Sequence, residues 1–431
     1  MTSTLLKFPR LNAPKQHQLP NGLTIIAEQM PVEAVNLSLW INVGSAVEAD
    51  AINGMAHFLE HMIFKGTKQL ASGEFERRIE ERGAVTNAAT SQDYTHYYVT
   101  SAPKDFANLA QLQIDVVLNA SIPEEAFERE RLVVLEEIRR SSDNPSRRTF
   151  QRTMEMAFDK LPYRRSVLGS ETVISQLKQQ QMQDFHANWY QPQSMTAVAV
   201  GNLSAEELIE IVERGFQEAA NGKQSAKSDR SEMNPEPSLK EIVRQEFIDE
   251  SLQQARLVMV WHVPGLSQLN QTYALEVLAA ILGQGRTSRL VRDLREERGL
   301  VSSISVSNMT QQLQGIFYIS AHCAAENLPV VEAAIAQHIR ALQTEMATEL
   351  EIARIRTQVA NRFIFGNETP SNRATLYGYY QSMVGDLDAA FNYPAYIQSQ
   401  DATDLIQAAQ NYLSPDAYGV VILKPGKTVS S

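Results

Sequence analysis

The chain has 431 residues, which is too long for one hydrophobic core and enough for two or more domains. Hydrophobic residues make up 43% and charged residues 21%, the composition of an ordinary globular protein. The net charge of −11 argues against nucleic acid as a partner, because phosphate binding needs a basic surface.

The sequence favours a cytoplasmic, bacterial protein. Residues 1–18 lack the apolar core of a secretory signal, and no apolar run is long enough to span a bilayer. The single cysteine, Cys323, excludes an internal disulfide framework and suits a reducing compartment. We expect Cys323 to be a small buried apolar residue rather than a nucleophile.

The first informative element is a predicted helix over 54–67. Read with helical periodicity, His57, Glu60, His61 and Phe64 fall on one face, and apolar residues cover much of the rest. The helix is therefore expected to be largely buried. Lys65 and Gly66 follow as a plausible C-terminal end.

Two imidazoles one helical turn apart can each direct a nitrogen at one zinc ion. Glu60 lies between His57 and His61 on the same face, close enough to hydrogen-bond a water beside the metal without being a ligand. Such a carboxylate can take a proton from water whose pKa zinc has lowered. Two histidines at this spacing also occur as ordinary core residues, although the run matches the inverzincin motif.

The next elements are a strand over 96–101, a helix over 107–118 and a long helix over 124–140. On the long helix, Glu130 and Glu137 share a face with Phe127 and Val134, which indicates that this face looks inward. A buried carboxylate needs a metal or a cation as partner. We assign Glu137 as the third zinc ligand and Glu130 as an acceptor for a ligand histidine. An ordinary charged helix face is the alternative.

The first half closes on an apolar strand over 195–201, and a polar segment over 221–240 predicts a linker. The second half repeats the order with a strand at 316–320, helices at 328–342 and 349–363, and a final strand at 418–423. We therefore predict an α+β fold of two homologous halves, with mostly antiparallel sheets and helices packed on one face. The predicted domains are 1–220 and 241–431.

The second half serves as an internal control for the metal site. Aligning Pro145 with Pro370 places Arg362 opposite Glu137 and Ile355 opposite Glu130. The segment corresponding to the metal helix, 275–292, contains no histidine. We predict one metal-bearing half, with one zinc per chain, and one metal-free half.

With these motifs the sequence resembles the M16 family of zinc peptidases, the pitrilysin group, and within it the zinc-bearing subunit of the mitochondrial-processing-peptidase-like branch. The matching segments cover nearly the whole chain: LPNGLTI at 19–25, which looks like the family's opening strand, GSAVEA at 44–49, the His57–His61 run with FKGT at 64–67, GAVTNAAT at 83–90 with DYTHYY at 93–98, and ERLVVLEE at 130–137.

The resemblance implies two homologous halves enclosing a chamber, and a peptide substrate bound as an added strand at a sheet edge. By position in the matching block, that edge is 87–91, so Asn87, Ala88, Ala89 and Thr90 are expected substrate contacts, as is Phe64. A turn or strand-end asparagine is the plainer interpretation of Asn87.

One position departs from the family pattern. Active relatives carry an arginine followed seven positions later by a tyrosine, both near the scissile bond. Here Arg295 is present as an expected substrate contact, but Ser302 occupies the tyrosine position. A serine cannot supply a phenol to a developing oxyanion. We favour a heterodimer with a metal-free subunit that carries the pair, and a homodimer with altered activity is the alternative.

The sequence thus predicts a zinc metalloendopeptidase that acts on unfolded peptides or oligopeptides. A non-catalytic or weakly active structural subunit of an M16-like assembly is the second hypothesis, which Ser302 favours and the complete ligand set opposes. A metal-dependent amidase acting on a non-peptide substrate is a weaker third.

Overall fold

The computed structural model describes residues 13–219 and 233–426, so 221–232 of the predicted linker lie outside the described residues. Within those ranges eleven strands form two sheets. The strands are β1 (Lys15–Gln18), β2 (Thr24–Gln29), β3 (Val35–Ile41), β4 (Val85–Thr90), β5 (Thr95–Ser101), β6 (Met195–Gly201), β7 (Val243–Asp249), β8 (Ala255–Pro264), β9 (Val301–Met309), β10 (Gln314–Cys323) and β11 (Gly419–Pro425).

Helices fill most of the remaining described chain. They are α1 (Met55–Ile63), α2 (Glu74–Glu81), α3 (Pro103–Asn119), α4 (Glu124–Asp143), α5 (Pro145–Ala157), α6 (Glu171–Gln176), α7 (Gln179–Trp189), α8 (Ala205–Ala219), α9 (Tyr273–Gly283), α10 (Leu328–Thr344), α11 (Glu349–Phe365), α12 (Pro370–Met383), α13 (Asp388–Ser399) and α14 (Ala402–Tyr412).

The two sheets share one topology. The first has the order β1-β2-β6-β3-β5-β4 and the second β7-β11-β8-β10-β9. Strands β2 and β6 run parallel, as do β7 and β11, and the other neighbours are antiparallel. Apart from β1, each strand of the first sheet has a counterpart at the same place in the second. The predicted α+β class is confirmed, with two mixed sheets.

The chain folds into two compact units that each take a segment from the other sequence half. Among the described residues, the first unit comprises 13–138, 166–219 and 360–392, and the second comprises 139–165, 233–359 and 393–426. Helix α12 therefore belongs with the first sheet and α5 with the second. The division at 221–240 stays a prediction about the sequence repeat.

In the first unit, helices cover both faces of the sheet, whereas the sequence predicted helices on one face. On one face α1, α3 and α8 contribute to a large apolar core, in which Phe58 stacks on Phe127 of α4 with ring centroids 4.7 Å apart. On the other face α12 packs across β3 and β6. Because both faces are covered, β3 and β6 are buried along their whole length, as their apolar sequences require.

Helix α12 is held against the sheet by close packing and by a buried ion pair. A Cβ atom added to Gly378 would lie 2.0 Å from Trp40 Nε1, so only glycine fits there. The Glu28 carboxylate of β2 accepts a hydrogen bond from Arg373 at 2.6 Å and another from Tyr377 at 2.6 Å. Burial is the main reason why the pKa of Glu28 is raised, although both partners oppose the shift.

The second unit repeats this arrangement. Helices α9, α10 and α14 enclose an apolar core over one face of the sheet, and α5 packs on β8 and β11. The imidazole of His262 on β8 hydrogen-bonds the carbonyl of Ala157 at the end of α5. Cys323 is 1% exposed in this core, as expected of a small apolar residue.

The structure changes several element boundaries. The predicted metal helix over 54–67 is shorter and ends at Ile63. The opening strand expected at 19–25 is wrong over its first five residues, because 19–23 form the turn between β1 and β2 and the strand begins at Thr24. That turn needs Gly22, whose φ is +88°. In 13–219 and 233–426, we find no helix with the length and apolar character needed to cross a bilayer.

Candidate metal centre

Helix α1 begins at a glycine and is capped by a carboxylate from an earlier turn. Gly54 has a φ of +96°, and a Cβ atom there would lie 2.7 Å from the Leu168 carbonyl oxygen. Glu48 accepts hydrogen bonds from the backbone amides of Gly54 (2.8 Å) and Ala56 (2.7 Å) and from the Asn53 side chain (2.9 Å). A negative charge at this helix end also interacts favourably with the helix dipole.

Three potential metal ligands converge between α1 and α4. Glu137 Oε2 lies 3.5 Å from His57 Nε2 and 3.6 Å from His61 Nε2. One ligand atom from each residue lies within 4.8 Å of the other two. Ligand atoms bound to tetrahedral zinc at about 2.0–2.1 Å are roughly 3.4 Å apart, so the present spacing fits a zinc ion. The packing of α4 against α1 thus places Glu137 beside His57 and His61, the three residues that the sequence assigned as ligands.

The electrostatics of the site keep the buried histidine neutral. Burial, with the neighbouring His61, lowers the pKa of His57 to about 3. His57 is 7% exposed and is therefore an uncharged imidazole at neutral pH. That is the form in which histidine binds a metal.

Glu130 lies behind His61. Its Oε2 is 3.6 Å from His61 Nδ1, and its Oε1 is 2.9 Å from the ammonium of Lys65. The carboxylate thus sits between the ring nitrogen that faces away from the cluster and a cation at the end of α1. This arrangement can fix the His61 ring so that Nε2 is directed at the cluster.

Glu60 is the acidic residue of α1 next to the ligand cluster. Burial is the largest influence on its pKa, which is raised, while the hydroxyl and the backbone amide of Thr90 oppose that shift. The Thr90 hydroxyl lies 2.5 Å from Glu60 Oε2. A raised pKa suits a group that must take up a proton and release it again.

The predicted peptide-binding residues lie on the edge strand of the first sheet. Strand β4 has one neighbour, β5, and its side chains alternate between exposed and half-buried. Asn87 and Ala89 are exposed, while Ala88 and Thr90 are half-buried on the side of α1. The strand therefore presents a free backbone edge beside the helix that carries the histidines.

Phe64 and Arg295, the other two predicted substrate contacts, do not lie on β4. Phe64 caps α1 and is half-buried against the core of the unit, stacked on Phe75 at 5.0 Å and edge-on to Tyr97 at 5.8 Å. Arg295 belongs to the second unit, in a π-helical segment, where its guanidinium binds the neighbouring Glu296. Ser302 lies on β9 and donates to the Gln254 side chain at 2.6 Å.

Two residues near the site had no assigned role in the sequence. Glu48 was part of a matching block, but nothing local indicates that a residue six positions earlier caps Gly54. Lys65 was expected to mark the helix end, and its ion pair with Glu130 needs the packing of two distant segments. A basic residue four positions after His61 on the same face was the available signal for that pair.

Comparison with known proteins agrees with this geometry. Residues 23–171 match the family described as Insulinase (Peptidase family M16), and 176–359 match the Peptidase M16 inactive domain. An uncharacterized zinc protease from Rickettsia bellii is 29% identical over 406 residues, 94% of this chain and 96% of that protein. Zinc protease PqqE from Helicobacter pylori is 27% identical over 421 residues, 94% of this chain and 92% of its own.

A solved structure has the same fold. A crystal structure of a protease from Helicobacter pylori superposes with a TM-score of 0.87 at 25% identity, covering 96% of this chain and all of that one. The fold and the His-His-Glu cluster define a metallopeptidase with its metal-binding residues in one of two related halves. The chain belongs to the M16 peptidase family and is a zinc protease.

Proposed function

We propose that the protein hydrolyses peptide bonds of unfolded peptides or oligopeptides that bind as an added strand along β4. One zinc ion per chain would be held by His57, His61 and Glu137. The observation that carries the proposal is the convergence of three ligand atoms within 4.8 Å beside Glu60, a half-buried carboxylate on the helix that carries both histidines.

When bound, zinc supplies Lewis acidity to the substrate carbonyl and lowers the pKa of the attacking water. Glu60 takes the proton of that water and later gives it to the leaving amine. Glu130 orients the His61 ring, and the backbone of β4 aligns the peptide. Main-chain pairing makes few demands on substrate sequence, so extended segments are preferred over folded ones.

The test of the base is a Glu60→Gln variant, with Glu80→Gln as the matched control. Glu80 is an exposed glutamate of α2 outside the ligand cluster. We expect Glu60→Gln to lower kcat on an unstructured fluorogenic peptide by roughly 10³-fold, within the range for loss of a general base. Zinc content, measured by elemental analysis, should stay near one per chain in both variants. Undiminished cleavage by zinc-loaded Glu60→Gln would overturn the mechanism.

The partner is a further proposal. We infer that a homologous metal-free chain supplies the arginine–tyrosine pair, because Ser302 occupies the tyrosine position and its hydroxyl is bound to Gln254. A homodimer is the alternative. If the missing tyrosine limits the isolated chain, Ser302→Tyr should raise its kcat. Ser303→Tyr is the control. If Ser302→Tyr does not raise kcat and the isolated parent chain is already fully active, no partner is needed.

Ser302 also favours a second candidate, a structural subunit with little activity of its own. In that case the chain would bind about one zinc but would cleave no peptide. Cleavage would be absent in the isolated chain, in its mixture with a metal-free homologue, and in the Ser302→Tyr variant.

A cytoplasmic location in a bacterial cell, the expectation from the sequence, agrees with the free buried thiol of Cys323 and with the bacterial relatives.

A further inference from the structure

Thr90, the last residue of β4, touches the half-buried acid of α1 directly. Its hydroxyl donates to Glu60 Oε2 at 2.5 Å. A short hydrogen bond to a carboxylate restricts the position of that group. The acid of the metal helix is therefore held by the strand at the sheet edge.

The hairpin geometry explains why the Thr90 amide is available. Ser91 N donates to the Tyr94 carbonyl at 2.8 Å, so Ser91 and Tyr94 form a hydrogen-bonded pair. In an antiparallel ladder the next pair, Thr90 with Thr95, is non-hydrogen-bonded, and its backbone groups point away from the partner strand. The Thr90 amide thus faces the free side of β4 and not the partner strand. The equivalent amides of Ala88 and Thr86 point the same way.

Hydrogen bonds anchor the β4–β5 turn next to Thr90. The amides of Ser45 and Ala46 donate to the carbonyls of Ser91 (3.2 Å) and Gln92 (2.8 Å), and Thr95 donates to the Val43 carbonyl at 2.8 Å. This segment ends at Glu48, which caps α1. The end of β4 and the start of α1 are consequently anchored to the same few residues.

We propose that Thr90 is a positioning residue for Glu60, and that it is not a substrate contact as its place in the edge strand first suggested. The Thr90 hydroxyl donates to Glu60 Oε2 and leaves Oε1 to accept the proton of the attacking water. The inference rests on the proposed function, in which Glu60 is the base. Displacement of a reacting group by about 1 Å can cost roughly 10²-fold in rate, so the contact matters for turnover rather than for binding.

The test uses Thr90→Val, which keeps the side-chain shape and the backbone amide but removes the hydroxyl, and Thr90→Ser, which restores the hydroxyl. Thr357→Val is the matched control, because Thr357 belongs to α11 of the second unit and is no part of the proposed site, and its hydroxyl also donates to a backbone carbonyl, that of Ala353, at 3.0 Å. All variants are the full-length chain, loaded with zinc and checked for melting temperature and zinc content.

We expect Thr90→Val to lower kcat by about 10- to 100-fold with KM within about twofold of the parent. Thr90→Ser should recover kcat to within about threefold, and Thr357→Val should leave it near the parent value. Binding supplies a readout independent of turnover. The Kd of an unstructured peptide, measured by calorimetry, should be equal in Glu60→Gln and in Glu60→Gln/Thr90→Val.

Other outcomes overturn the inference. A raised KM or Kd with unchanged kcat in Thr90→Val would make Thr90 a substrate contact, and failure of Thr90→Ser to restore kcat would make the effect one of shape. If Thr90→Val does not fold, Thr90→Ser and Thr90→Ala decide by the same comparison of kcat with KM. A dead Glu60→Gln with an unaffected Thr90→Val refutes only the role of Thr90, whereas a fully active Glu60→Gln refutes the proposed function itself.

Discussion

Removal of the Glu48 carboxylate should detach the start of the metal helix. Glu48 is 4% exposed and accepts three hydrogen bonds, from the amides of Gly54 and Ala56 and from the Asn53 side chain. Glu48→Ala leaves the two amides buried without this acceptor, at about 1–3 kcal/mol each before relaxation, while the Asn53 side chain keeps its hydrogen bond to the Ser166 carbonyl. It also removes a charge that stabilises the helix dipole by up to about 2 kcal/mol. With partial relaxation we expect a loss of about 3–5 kcal/mol.

Two measurements check this value. Urea unfolding gives the loss of stability of the first unit, and hydrogen exchange reports on the Gly54 and Ala56 amides themselves. A loss of about 3 kcal/mol corresponds to exchange faster by more than about 100-fold. Glu48→Gln, which keeps one acceptor oxygen, should lose less. Because His57 follows directly on Gly54 and Ala56, zinc affinity should also fall, more in Glu48→Ala than in Glu48→Gln.

Glu210→Ala is the matched control, since Glu210 is an exposed glutamate of the same unit, paired with Arg214 across one helical turn at 2.6 Å. Loss of an exposed pair of this kind changes stability by little. The reasoning fails if Glu48→Ala loses less than about 1 kcal/mol and the Ala56 amide remains as protected as in the parent. That result would mean that water replaces the carboxylate without cost.

Three further predictions concern residues that support the site. Glu130→Gln should weaken zinc binding by about 10- to 100-fold in competition with a fluorescent chelator, because an amide holds the His61 ring less firmly, and unchanged affinity would contradict this role. Gly44→Ala should lower both melting temperature and kcat, since the new Cβ would lie 2.3 Å from the Ser91 carbonyl oxygen and must displace the hairpin that carries Thr90. Gly378→Ala should destabilise the first unit by about 1–3 kcal/mol in calorimetry, because α12 must move away from Trp40, while zinc affinity stays near the parent value.

Local periodicity explains what the sequence could predict. Helical spacing places His57, Glu60 and His61 on one face, and the apolar positions of α4 turn Glu130 and Glu137 inward. These patterns depend on residues within a few turns of each other. The strands β5, β6, β10 and β11 were likewise close to their predicted positions, because each is a run of apolar or alternating residues between clear turn signals.

Long-range contacts explain what the sequence could not predict. The cap from Glu48, the ion pair of Lys65 with Glu130 and the contact of Thr90 with Glu60 each join segments whose distance in space has no local signature. The substrate roles of Asn87, Ala88, Ala89, Phe64 and Arg295 stay predictions, since they depend on a bound peptide. The burial of Phe64 between Phe75 and Tyr97 gives it a packing role in any case.

The exchange of α5 and α12 between the sequence halves limits how the chain can be divided. A fragment that stops within 221–240 would lack α12, and the apolar side chains of Ile26, Trp40 and Val198 would lose Ala374 and Tyr377 from their cluster and face water. The complementary fragment would lack α5 from its own sheet. Neither piece is therefore expected to behave as an autonomous domain, whereas the two pieces produced together should complement each other.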